Sequence, residues 1–142
     1  MYKQLMTGLL LSACAFNAQS ADAPLPPSTM WDYYHQRLLD NSDFVFDPHI
    51  QVLTPPFAED ARQVPIEIDA RKLEGEVKKI MLWAELNPIP QIMVVEPSSQ
   101  LENRIAVRIR VEQATHLRAA FLMDDGLWHV GTGHIEADGG GC

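Results

Sequence analysis

Cysteine is nearly absent from this sequence of 142 residues: there are two, Cys14 near the start and Cys142 at the end. A framework of disulfides, the usual staple of small exported domains, is therefore excluded, and so is any two-cysteine zinc spacing. Basic residues are scarce as well, 11 Lys and Arg against 19 Asp and Glu, for a formal charge of −8. That balance excludes a nucleic-acid surface and fits poorly with an anionic lipid surface. There is no Ser/His/Asp motif and no glycine-rich phosphate loop between a strand and a helix. Long helices are also missing, because ten prolines and eight glycines are scattered through the chain and favour short elements joined by turns. What remains is ordinary for one folded domain: 46% hydrophobic residues and 21% charged.

The first segment reads as an export signal. Lys3 precedes the apolar run Leu5, Met6, Leu9, Leu10, Leu11, Ala13 and Phe16, which has the length of a signal-peptide core and is too short to span a bilayer permanently. Cleavage after Ser20 or after Ala23 follows small residues at the required positions, so residues 1–23 are expected to be removed. An alternative uses Leu11-Ser12-Ala13-Cys14 as a lipoprotein box with Cys14 lipidated, the one route to a membrane attachment. Under ordinary cleavage Cys142 is the single thiol of a protein in an oxidising compartment, which points to intermolecular chemistry.

Residues 24–47 are expected to hold a proline-rich leader and one short amphipathic helix. Met30, Trp31, Tyr34, Leu38 and Leu39 fall at helical spacing, with Ser28 and Thr29 placed to cap it and Asp32 in its first turn. His35 on that helix is expected at the surface, with no partner for a metal site. From residue 48 the period changes to two. Strands are predicted at Ile50 to Leu53, Val64 to Asp69, Val77 to Leu86, Gln91 to Glu96 and Arg104 to Val111. His116 to Met123 and Leu127 to Val130 flank an Asp125-Gly126 hairpin signal, and a separate last strand runs Thr132 to Ala137. Pro65 marks a sheet edge or a strand start. The fold class is therefore all-β, an immunoglobulin-like antiparallel sandwich over residues 48–137 whose core rests on packing alone.

Three constellations carry possible chemistry. His129 and His134 lie near the C-terminus, but residues five apart on a continuous strand face opposite ways, and Gly131 and Gly133 between them predict a bend, so no metal site is expected. Arg104, Arg108 and Arg110, with Arg118 nearby, form a cation row that reads either as a solvated strand face or, at Arg108 and Arg110, as a contact for a partner or an anion. Residues 138–142 end in Gly139, Gly140, Gly141 and Cys142; three glycines make a flexible arm, and a thiol on such an arm has reach as its useful property. With no base nearby, it acts as a substrate handle and not as an enzyme's nucleophile.

In chain order, Pro55-Pro56 followed by Ala58-Glu59-Asp60-Ala61, then Val64-Pro65-Ile66, Asn87-Pro88-Ile89-Pro90, Arg108-Ile109-Arg110, Asp125-Gly126 and Gly140-Gly141-Cys142 carry a family resemblance. This run resembles the SoxY-type sulfur carrier proteins of bacterial thiosulfate oxidation, in particular the SoxY-like part of the SoxYZ-like carriers associated with quinoprotein dehydrogenases. The resemblance implies an immunoglobulin-like sandwich in the periplasm, without a cofactor, whose Cys142 holds sulfur intermediates as covalent adducts. It also implies pairing with a SoxZ-like protein or domain and delivery to sulfur-oxidation enzymes or a periplasmic dehydrogenase. A rival expectation is a non-catalytic assembly subunit of such a dehydrogenase system, with the cysteine incidental.

Overall fold

The computed structural model describes residues 28–138. The amphipathic segment forms helix α1, Trp31–Leu38, and eight strands follow: β1 Phe44–Phe46, β2 Gln51–Leu53, β3 Val64–Asp69, β4 Val77–Ala84, β5 Gln91–Val95, β6 Arg104–Ile109, β7 Thr115–Met123 and β8 Trp128–Ile135. They make two sheets, a larger one ordered β1-β8-β7-β4-β5 and a smaller one ordered β2-β3-β6. Strand pairs are antiparallel except β1 with β8, which run parallel from Phe44 opposite Trp128 to Phe46 opposite Val130.

The alternation that predicted the strands also sets the core. Val64, Ile66 and Ile68 of β3 meet Ile80 and Leu82 of β4 and Leu117, Ala119 and Phe121 of β7 between the sheets. Burying such side chains stabilises by about 1.5–3 kcal/mol each. The other face of the larger sheet carries a second apolar cluster, Met81, Trp83, Ala120, Trp128 and Val130, which α1 covers with Trp31 and Tyr34. Trp31 is the hub of that layer, with ring centroids 4.8 Å from Phe44, 4.9 Å from Phe46 and 6.2 Å from Trp83.

Pro65 sits near the start of β3, beyond the residues that pair with β2, so its missing N–H costs no ladder bond. The Asp125-Gly126 signal closes β7 onto β8, with Gly126 at φ +84° as the turn requires.

Several expectations are corrected. A strand at Phe44–Phe46 precedes residue 48 and belongs to the larger sheet. Thr132 to Ile135 is not a separate strand but the second half of β8. Gly131 and Gly133 do not bend the chain; they lie inside β8 where Ile50 and Val52 press against its backbone. Ser28 gives α1 no side-chain cap; its hydroxyl donates instead to the Glu85 carboxylate. His35 is half-buried, its ring against Phe44 and its Nε2 donating to the Ser42 carbonyl at 2.7 Å.

Candidate functional site

Cys142 and Gly139 to Gly141 lie outside the described residues, so what the structure defines is the point from which they depart. β8 ends at the buried Ile135. The next residue, Glu136, is clamped by two backbone bonds: its N–H donates to the Pro56 carbonyl at 3.1 Å, and its carbonyl accepts from the Ala58 N–H at 2.8 Å. Ala137 packs against the main core and Asp138 is exposed. Beside this root lies a hollow of about 500 Å³ lined by Pro55, Pro56, Phe57, Ala58 and Val64, with Glu59 and Asp60 at its rim. The chain thus leaves the sandwich at a fixed place, next to an exposed Phe57 and among exposed carboxylates.

The cation row divides. Arg104 pairs with Glu67 at 2.8 Å and Arg110 with Glu112 at 2.7 Å, both on the solvated side of β6. Arg108 has no ion-pair partner among the described residues and lines two hollows, one with Leu53, Pro55 and Pro65 and one with Pro88, Ile89 and Ile92. Arg118 does not belong to this row. It is fully buried on β7 in the other sheet, beneath α1.

That burial creates a polar cluster which sequence reasoning did not assemble. Arg118 Nε donates to Glu85 Oε1 at 2.8 Å, with neither side chain more than 1% exposed. The guanidinium lies 5.4 Å from the Trp31 ring centroid and 5.8 Å from that of Phe46. Ser28 donates to the second Glu85 oxygen, and the Tyr34 hydroxyl donates to the Glu85 carbonyl at 2.5 Å. Burial, with Tyr33 and Glu85 nearby, holds the Tyr34 phenol above its usual range, so it remains the donor. The signal was a charged residue inside each of two apolar runs, Glu85 after Trp83-Ala84 and Arg118 within β7.

His116 flanks the pair, 3.9 Å from Glu85, with the His134 ring 4.8 Å away. Burial, then the Arg118 charge, lowers its pKa below 6.5, with Glu85 opposing and His134 adding to the decrease. The unfolded chain therefore takes up a proton that the folded chain resists, and stability is full above about pH 6.5 and declines as pH falls through the depressed value. Replacing His116 by glutamine is expected to flatten that decline. The check is the urea midpoint of both proteins between about pH 7 and pH 5; equal slopes would refute the assignment.

No group of three or more metal-ligating side chains is gathered among the described residues. His129 Nδ1 donates to Asp47 at 2.7 Å while His134 meets Glu136 at 3.4 Å. Burial alone would raise the Asp47 pKa, but bonds from the His129 ring and the His49 N–H, with both histidine charges, bring it below the usual carboxylate value.

The family model for "Sulfur oxidation protein SoxY" matches residues 35–142, from α1 through the terminal thiol. The chain belongs to the SoxY family. No curated protein matches the sequence. Among solved structures, the sulfur carrier protein SoxY from Chlorobium limicola f thiosulfatophilum superposes with a TM-score of 0.64 at 15% identity, over 75% of this chain and 94% of that one. A superoxide reductase (neelaredoxin) from Ignicoccus hospitalis gives 0.54 at 12% identity, over 63% and 80%. A putative superoxide reductase from Thermotoga maritima gives 0.55 at 12%, over 70% and 97%. Identities this low show a shared sandwich and nothing about shared chemistry, since one fold hosts many sites. For this SoxY chain the sequence resemblance and the fold class both hold. The sandwich rises from a terminal strand whose far end is tied down one residue beyond its last ladder bond.

Proposed function

We propose that this SoxY protein is a periplasmic carrier that holds thiosulfate-derived sulfur on Cys142 and presents it to partner enzymes. Membership of a sulfur-oxidation family whose match runs to residue 142 is the observation that supports the reading. Residues 1–23 act as the export signal, the sandwich as the docking body, and Gly139 to Gly141 as the arm. Four residues beyond Asp138 reach at most about 14 Å, enough to enter a partner's pocket while Glu136 stays clamped. A SoxZ-like protein is the second subunit. In the loading step the Cys142 thiolate forms a sulfur–sulfur bond to the terminal sulfur of thiosulfate. The two electrons released pass to a partner oxidoreductase, and no bond within thiosulfate breaks. The carrier supplies the thiolate and its reach, and the partner supplies the oxidant.

Intact-mass analysis of the mature protein, incubated with thiosulfate and its oxidising partner, is expected to show a gain of one S2O3 unit that Cys142→Ala abolishes. A wild-type mass that stays unchanged under these conditions would reject sulfur carriage. An adduct that survives the substitution would reject Cys142 as its site.

A further inference from the structure

The two sides of the sandwich are finished differently. On one side the chain passes from the larger sheet to the smaller through the corner after β1, where the Asp47 N–H donates to the Val130 carbonyl and the Ile50 N–H to the Asp47 carbonyl. There the edge strand β1 is three residues long and lies under Trp31. On the other side both sheets end in free edges, β5 and β6, with a cleft of about 410 Å³ between them lined by Pro88, Ile89, Ile92, Arg108 and Arg110.

Edge strands are normally protected by charge, by proline or by shortness. β6 carries Arg104 and Arg108. β5 carries nothing of the kind: its five residues, Gln91, Ile92, Met93, Val94 and Val95, include no charge and no proline. Val94 is 44% exposed and Ile89, just before the strand, 79%. A row of N–H and C=O groups facing away from β4 has one geometric complement, another extended strand, and alternate side chains then select which strand it is. The charge beside the edge narrows the choice. In a chain of net charge −8, this cleft is bordered by Arg108, which is unpaired among the described residues, and by Arg110. A second copy pairing through β5 brings no acid within that strand and gathers the arginines of both copies along one seam, which like charges disfavour.

We infer that the β5 edge is the seam at which a different polypeptide adds an acid-flanked edge strand to the larger sheet. This rests on the carrier reading above and identifies where that carrier's second subunit binds. The seam lies on the β5/β6 edge and involves none of Pro56, Phe57 and Ala58, which clamp the arm, so the arm's root stays open when the subunit is bound.

The probe is the SoxZ-type protein of the same organism, mixed with mature wild-type protein and followed by sedimentation and amide hydrogen exchange. A one-to-one complex is expected, with exchange in β5 slowed. Val94→Lys, which places a charge on the edge, and Arg108→Glu, which reverses the cation, are each expected to weaken it about 10-fold or more. Arg62→Glu, a surface change elsewhere, serves as control and is expected to stay within about 2-fold. Absence of a complex overturns the seam, as does a complex indifferent to both substitutions or one that slows exchange only outside β5. Self-association of the protein alone with β5 protected assigns the edge to a second copy and also overturns it. The Cys142 adduct assay separates the two readings: if the seam is wrong, adducts still form on wild type, and if carriage is wrong, the complex forms without them.

Discussion

Replacing Glu85 by alanine is expected to lower the unfolding free energy by about 3–5 kcal/mol, a large share of the 5–15 typical of a domain this size. The substitution leaves the Arg118 guanidinium fully buried after losing its one carboxylate, and its two terminal nitrogens already have no hydrogen-bond partner among the described residues. The rings of Trp31 and Phe46 offer a cation some compensation, of the order of 1–2 kcal/mol, which does not offset an unpaired buried charge. The substitution also frees Ser28, so α1 loses part of its attachment to the sheet. Arg118→Met is expected to be comparably costly, because it strands the Glu85 carboxylate, whereas Glu85→Leu combined with Arg118→Met is expected to recover much of the loss. Urea unfolding of the four proteins in a double-mutant cycle reads the coupling directly. Additive single and double effects would show that the pair does not act as a unit.

The second large effect is expected at Gly131. A methyl group there would stand 2.5 Å from the Ile50 carbonyl oxygen and 2.8 Å from its Cβ, distances that only backbone movement can relieve. At Gly133 the same methyl meets Val52 at 3.0 to 3.2 Å, where a shift of a few tenths of an ångström suffices. At Gly126 nothing lies within 4 Å and the cost is conformational alone, from φ +84°. Alanine is therefore expected to cost about 3 kcal/mol or more at Gly131, about 1–2 at Gly133 and about 1 at Gly126. Urea midpoints of the three variants test this ranking, and Gly131→Ala with a wild-type midpoint would show that β2 is not held against β8 as described.

These two effects belong to the frame that carries the arm, and they make different demands on it. Gly131 lies on β8 only a few residues before Glu136, so a shift there moves the arm's point of departure. The Glu85 cluster lies under α1, on the opposite face of the larger sheet from the inter-sheet core. Its loss is expected to lower stability while leaving adduct chemistry at Cys142 unchanged at temperatures where the variant is folded.

Period-two alternation in residues 64–69 and 104–111, the Asp125-Gly126 pair and the helical spacing from Met30 were sufficient, on local grounds alone, to predict an all-β sandwich with one short helix. The Gly139 to Cys142 tail needed no fold at all to be recognised, because flexibility and a solitary thiol are properties of composition. Side-chain periodicity says which way a residue faces along its own strand and nothing about which strand lies beside it. The parallel pairing of β1 with β8, the meeting of Glu85 with Arg118 across 33 residues, and the placement of Gly131 under Ile50 therefore came only with the tertiary structure. Contacts so distant in sequence are selected by the packing of the whole core, in which a cation within an apolar strand finds its carboxylate and a glycine is required where two backbones cross.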